Sequence, residues 1–230
     1  MNTLALSLHP FAALPADAAP KRPRGRPRKT ELERDDGNRR VDLLAAAARL
    51  FRRQGFDATS TRDIAAAVGM HSGSPFYHFK SKDALLYAVM EEGMHSAIAR
   101  QRAALASEDT SPDQSPWVQL RRLIRSHFDT LHGPGNDFIP VMLYEQRSLS
   151  SRQRAAIAQL QADYEAPWTP VLEALHASGH LLAPVKLSRL LILGALNWSV
   201  QWYDRKKGAS LDELTDACMA LFLKPCSVPN

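Results

Sequence analysis

The chain has 230 residues, 45% of them hydrophobic and 23% charged, which suits a soluble globular protein with one small module and one full domain. A net charge of +5 and a pI near 9.4 favour a polyanionic partner. The two cysteines, Cys218 and Cys226, lack metal-site spacing and argue against a disulfide framework or zinc centre, while no apolar run reaches the length of about eighteen residues that a membrane span needs.

The first twenty residues, MNTLALSLHPFAALPADAAP, are mildly apolar. Pro10 breaks the apolar run and no charged stretch precedes it, so a disordered leader is expected rather than a signal peptide. Residues 21–29 read KRPRGRPRK, with six basic positions and no acidic one. The core Pro23-Arg24-Gly25-Arg26-Pro27 resembles the AT-hook. An extended Arg-Gly-Arg lies flat in a narrow minor groove, and Arg24 and Arg26 then sit in the enhanced negative potential of A·T tracts. A solvated basic tail without sequence preference is the plainer alternative.

Val41, Leu44, Ala48 and Phe51 recur at helical spacing up to Gly55. Ser60 and Asp63 form a capping box for a second helix, with Ile64 and Val68 on its buried face. Gly69 suits the left-handed turn that ends it. After Met70-His71-Ser72, the run Gly73-Ser74-Pro75 opens a third helix, since proline is tolerated in a first turn. Two short helices joined by a Gly-containing turn are a helix-turn-helix, whose second helix enters the major groove. Its outer face carries His71, Ser72, Ser74, Phe76, Tyr77 and His78, polar and aromatic groups with little packing rationale. Ser81 caps the next helix, and Lys82 in its first turn is within reach of a phosphate.

The run Gly55-Phe56, Thr59, Ile64-Ala65, Val68-Gly69, Gly73-Ser74 and Phe76-Tyr77-His78-Phe79-Lys80-Ser81-Lys82-Asp83-Ala84-Leu85 resembles the TetR/AcrR family of bacterial transcriptional regulators. Pro75 and Phe76 depart from its usual pattern, and Phe76 lacks the hydroxyl of a frequent tyrosine. The resemblance implies DNA contacts at Thr61, His71, Ser72, Gly73, Ser74, Tyr77, His78 and Lys82, to which the arm adds Arg24 and Arg26.

Residues 81–106 read as one long helix that couples the head to the next domain, followed by a polar loop to Ser115. Ser115-Pro116 caps a helix with Trp117, Leu120, Ile124, Phe128 and Leu131 on one face. Gly133-Pro134-Gly135 ends it, and a short helix follows from Phe138 to about Arg147. A longer helix opens at Ser150 or Ser151 with a stripe of Ile157, Leu160, Tyr164, Trp168, Val171 and Leu175. Pro167 and Pro170 predict a kink or break near residues 163–166. Residues 187–203, LSRLLILGALNWSVQWY, are apolar almost all round and must be covered on every side. Ser210 and Glu213 form a capping box for a last helix. The expectation is an all-α, TetR-like chain of about nine helices. Residues 1–35 are the leader and arm, 36–88 the DNA-binding module, 89–225 the ligand-binding and dimerisation domain, and 226–230 a tail.

His176 and His180 have metal-ligand spacing, but no third ligand completes a set. No GxSxG, P-loop or GxGxxG motif occurs, so neither an enzyme nor a cofactor is expected. Tyr164, Trp168, Trp198, Trp202 and Tyr203 suit either a core and subunit interface or the wall of an apolar pocket. In the pocket reading, His127, Met142, Glu145, Asn197 and Gln201 join Tyr164, Trp168, Trp198 and Trp202 as ligand contacts. The resemblance further implies a homodimer through the last two helices and a cytoplasmic, nucleoid-associated location. The expected function is a repressor released from a double-stranded operator by a small hydrophobic effector. The stretch Leu193-Gly194-Ala195-Leu196-Asn197-Trp198 looks similar to a branch that answers acyl-CoA thioesters, for whose head Arg147, Arg152 and Arg154 are the local cations. Alternatives are a sensor of aromatic compounds or an architectural AT-hook protein without effector.

Overall fold

The computed structural model describes residues 31–71, 75–106, 115–133, 135, 137–206 and 208–224. The leader, the basic arm and Cys226 lie outside them. Ten α-helices follow in order among the described residues: α1 Glu31–Gln54, α2 Thr61–Ala67, α3 Pro75–His78, α4 Lys82–Leu105, α5 Pro116–His132, α6 Phe138–Tyr144, α7 Ser151–Glu165, α8 Trp168–Ala177, α9 Val185–Trp198 and α10 Leu211–Phe222. Short 3₁₀ turns at Gln146–Ser148 and Ser199–Gln201 follow α6 and α9. The described residues contain no strand. The tenth helix comes from the proline break: α7 stops at Glu165 and α8 restarts at Trp168, one residue beyond the expected window.

Capping sets most of the starts. Ser60 Oγ accepts from Asp63 N at 3.1 Å, and the Asp63 carboxylate accepts from Ser60 N at 2.9 Å. Ser150 with Gln153 and Ser210 with Glu213 repeat that arrangement on α7 and α10, each box worth roughly 0.5–2 kcal/mol. Gly69 closes α2 at φ +68°. There Met70 N reaches Ala65 O and Gly69 N reaches Ala66 O, the paired bonds of a Schellman turn.

Two cores result. One packs α1, α2, α4, α6 and α7 around Leu43, Phe51, Ile64, Leu85, Met90 and Ile157. The other packs α5, α8, α9 and α10 around Leu120, Ile124, Trp168, Leu172, Ile192 and Met219. Helix α4 contacts α1 in the head and α5, α6 and α7 beyond it. Gly93 on α4 lies so close to α6 that a Cβ there would stand 2.6 Å from Phe138 Cβ. Val41, expected on the inner stripe of α1, is exposed; Leu43, Ala46 and Ala47 are buried there instead. The stretch 187–203 also differs from expectation within one chain. Its helix ends at Trp198, and Leu187, Leu190, Leu191, Trp198 and Trp202 are exposed.

Candidate functional site

The reading head is built from α2, its Schellman turn and the single-turn helix α3. Tyr77 is 85% exposed, with its ring edge-on to His78 at 5.7 Å. His71 is exposed and Thr61 half-buried at the start of α2. Ser72, Gly73 and Ser74 lie outside the described residues, as do Arg24 and Arg26. Lys82 has a bracing role that its sequence position did not suggest. Its ammonium donates to Phe56 O at 2.9 Å and Thr59 O at 3.0 Å, and stands 4.2 Å from the Phe56 ring centre. Two of its three donors therefore hold the turn between α1 and α2.

From the other side, Glu145 Oε1 accepts from Phe56 N at 3.1 Å. The same 55–59 turn is thus tied both to α4 and to the end of α6. Arg52 on α1 pairs with Asp137 at 2.9 Å ahead of α6. Phe51, Gly55, Pro140, Tyr144, Glu145 and Val200 border a hollow of about 240 Å³ at this junction. Glu145 therefore belongs to the head–domain junction. Gln201, exposed, donates to the Tyr144 hydroxyl beside this hollow.

A second, smaller cavity lies among α4, α5, α6, α7 and α9. It measures about 60 Å³, with apolar walls from Met94, Ala97, Ile139, Met142 and Leu193. Its polar side is His127, Thr130, Tyr164 and Asn197, with Gln161 and Glu165 completing the lining. His127 is buried and links Tyr164 Oη, 2.8 Å from Nδ1, to Asn197 Oδ1, 3.1 Å from Nε2. An amide oxygen only accepts, so Nε2 carries the proton and Nδ1 accepts from the phenol. Burial pushes the His127 pKa down to about 4, despite the favourable Asn197 bond, and holds the ring neutral. Burial likewise raises the Tyr164 pKa, keeping its proton in place. Trp168 stacks edge-on to His127 at 6.0 Å, fully buried behind the cavity rather than on its wall.

Of the nine residues read as ligand contacts, four line this cavity: His127, Met142, Tyr164 and Asn197. Trp168 backs it. Trp198, on the side of α9 turned away from α5 and α8, is instead 63% exposed, and Trp202, beyond the 3₁₀ turn that follows α9, is 58% exposed. Sequence reasoning missed Thr130 and Gln101. Both are buried, and neither Thr130 Oγ1 nor Gln101 Nε2 has a hydrogen-bond partner. Position offered the only signal: Thr130 follows His127 by three residues on α5, so the two share a face. The cations differ too. Arg154 is tied to Leu149 O and Ser151 at the start of α7. Arg100, Arg121, Arg122 and Arg125 instead gather along a groove between α4 and α5, where Arg121 pairs with Asp216 at 2.8 Å and Arg125 with Asp212 at 3.1 Å. His176 and His180 direct Nδ1 to the carbonyls of Leu181 and Lys224. Among the described residues no group of three or more His, Cys, Asp or Glu could hold a metal, and no helix is long and apolar enough to cross a membrane.

Residues 43–89 match the family of bacterial regulatory proteins, tetR family, and residues 113–226 match the tetracyclin repressor-like C-terminal domain. The chain is 25% identical over 195 residues to the HTH-type transcriptional repressor KstR2 of Rhodococcus jostii, covering 84% of this chain and 93% of that protein. It is 39% identical to the superantigen PfiT in its crystal structure, with a TM-score of 0.66 over 80% of this chain and 96% of that one. AibR, crystallised with isovaleryl coenzyme A and operator DNA, shares the fold at a TM-score of 0.73 and 22% identity, over 82% of this chain and all of that one.

Proposed function

The chain belongs to the TetR family of bacterial regulatory proteins and is a ligand-responsive, DNA-binding transcriptional regulator, and we propose that it is a homodimeric repressor released from its operator when a small lipid-derived acyl compound enters the His127 cavity. The observation that carries this reading is the pair of ties on one turn. Lys82 on α4 and Glu145 after α6 hold residues 55–59 of the head. The same two helices supply Met94, Ala97, Ile139 and Met142 to the cavity wall. A ligand that pushes α4 from α6 therefore moves the head. It shifts the equilibrium only through tighter binding to the moved state.

The dimer reading rests on α9 and α10. Leu187, Leu190, Leu191, Gly194 and Trp198 follow helical spacing along one exposed face, beside Trp202 and with Leu221 of α10 at 80% exposure. A Cβ at Gly194 would meet nothing within 4 Å, so a second helix can approach closely there. An identical face on a second copy covers these groups about a two-fold axis, making a four-helix bundle and pairing two reading heads for one operator. Tyr77, His78 and Thr61 then face the major groove, while the contacts expected of Ser72, Gly73 and Ser74 fall outside the described residues. The sequence of the arm, with Arg24 and Arg26 flanking Gly25, suits an adjoining minor groove. The location is the bacterial cytoplasm, at the nucleoid.

An acyl thioester as effector is supported by AibR, whose crystal structure holds isovaleryl coenzyme A and operator DNA. The test uses DNA selected from random duplexes by the full chain, followed by fluorescence anisotropy. Release by short acyl-CoA thioesters, with free acids inert, supports the reading. Release by unrelated aromatic compounds alone favours the sensor of aromatic compounds, and binding that no compound disturbs favours an architectural role.

A further inference from the structure

We propose that the part of the effector lodged in the His127 cavity carries an uncharged hydrogen-bond acceptor, the carbonyl of a ketone, ester or thioester, and that a carboxylate is rejected there. This rests on the reading that the cavity takes the effector, and it adds the chemical class.

The polar wall is short of acceptors for its donors. His127 Nδ1 is occupied by the Tyr164 proton and Asn197 Oδ1 by the His127 proton. Asn197 lines the cavity, and its amide group still has two hydrogens to donate. Thr130 is 4% exposed and its hydroxyl has no partner, although it lines the cavity. Gln101, 1% exposed, stands behind Tyr164 with its amide nitrogen also without a hydrogen bond. Two groups able to donate, the Thr130 hydroxyl and the Asn197 amide, thus line the cavity without a bonded acceptor. A native interior rarely leaves such groups unmatched.

The charge around the cavity selects among acceptors. No lysine or arginine contributes to the lining, and the one carboxylate in it is Glu165. Burial keeps His127 neutral near pH 7, so the ring supplies no cation either. A carboxylate entering this space loses its water and meets Glu165, whose own pairing at 3.7 Å already engages Arg189, the nearby cation outside the lining. A ketone or thioester oxygen accepts the same hydrogen bonds with far less desolvation cost. Met94, Ala97, Ile139, Met142 and Leu193 receive the alkyl part, and about 60 Å³ admits only a short one unless α6 moves.

The test is a ligand-observed NMR titration of the full-length chain near neutral pH with three shape-matched probes. These are 2-pentanone, butanoate, and 2-methyl-1-pentene, in which a methylene replaces the carbonyl oxygen. The expected order is ketone, then alkene, then butanoate, with the ketone at least about tenfold tighter than butanoate. Thr130→Val, close to isosteric, should shrink the ketone's advantage over the alkene about threefold or more while leaving the alkene unchanged. Gln101→Leu, one shell behind, is the second variant and should shrink it less. Butanoate binding as tightly as the ketone, or a Thr130→Val chain with the full ketone preference, overturns the inference. If none of the three probes binds saturably, the cavity is not the effector site, and the reading beneath the inference falls with it.

Discussion

The head and the domain behind it bury their polar and apolar groups in opposite ways. In the head, Leu43, Ala47, Phe51, Ile64 and Leu85 are covered by the chain itself, and the backbone of the 55–59 turn finds partners in Lys82 and Glu145. The domain behind it leaves a row of large apolar side chains on α9 open and a set of donors unmatched around His127. The first region is a finished unit with an exposed polar face for reading DNA. In the proposed reading the second is completed by something added, a second chain outside and a ligand inside. An unfilled interaction marks function more sharply than a filled one.

The largest expected effect follows from closing off the outer gap. Leu191→Asp places one charge on each copy of the α9 face, where a dimer would bury both. Dimer dissociation should strengthen at least about a hundredfold in favour of monomer, seen by sedimentation, with melting of the isolated chain little changed. Leu196→Asp makes the contrast: Leu196 is fully buried in its own chain, so that change should unfold the protein. A wild-type chain that sediments as a monomer at micromolar concentration removes the dimer reading.

Acid tests the inner gap. In the folded chain the His127 pKa is about 4, against an ordinary 6.5 once unfolding exposes the ring. Between these values the unfolded state binds the extra proton. Stability is therefore full above pH about 6.5, falls as pH drops towards 4 and levels off below, a loss of about 3 kcal/mol. His132, lowered by burial and then by Arg52, acts in the same direction. The groups touching His127 are Tyr164, Asn197 and Trp168; His132 adds a like charge that lowers its pKa further, and Glu165 shares the cavity lining. Urea midpoints of wild type and His127→Gln, compared across this range, isolate the contribution. Parallel pH profiles would show that the ring does not titrate as its burial implies.

Gly93→Ala strains the connection between the regions. The new methyl stands 2.6 Å from Phe138 Cβ, so α4 and α6 must separate. A loss of about 1–3 kcal/mol in stability is expected, together with weaker DNA binding, because both helices hold the head's turn. Unchanged DNA affinity in a variant that still folds would uncouple the cavity wall from the head.

Local chemistry explains what could be read beforehand. The capping boxes at Ser60, Ser150 and Ser210, the stop at Gly69 and the proline break after Glu165 each depend on a few adjacent residues. The cavity depends on which faces of α4, α5, α6, α7 and α9 meet, and residue type alone does not fix that. Trp168 and Trp198 look equivalent in the sequence, yet one is fully buried and the other exposed, since α8 turns inward after the break while α9 keeps one face outward. Thr130 and Gln101 were invisible for the same reason: an unmatched hydroxyl or amide becomes apparent only when its neighbours are known.

Lys82 carries the smallest effect and the sharpest distinction. A lysine in the first turn after a recognition helix reads as a phosphate contact. If that were its main work, Lys82→Met would flatten the salt dependence of DNA binding by about one unit of slope and leave the melting temperature alone. The observed bonds to Phe56 O and Thr59 O, and the ring of Phe56 beneath the ammonium, give it a structural load. Removing two hydrogen bonds from a charged donor to half-buried carbonyls should cost about 1–3 kcal/mol of stability. The expected result is therefore a lower melting temperature. The salt slope should keep most of its value, because one remaining N–H is left to approach DNA. Affinity should fall modestly on every sequence alike, since the loosened turn misplaces α2 and α3 without touching a base. A full unit lost from the slope at unchanged melting temperature would return Lys82 to the phosphate-binding set and leave Glu145 as the turn's principal side-chain tie.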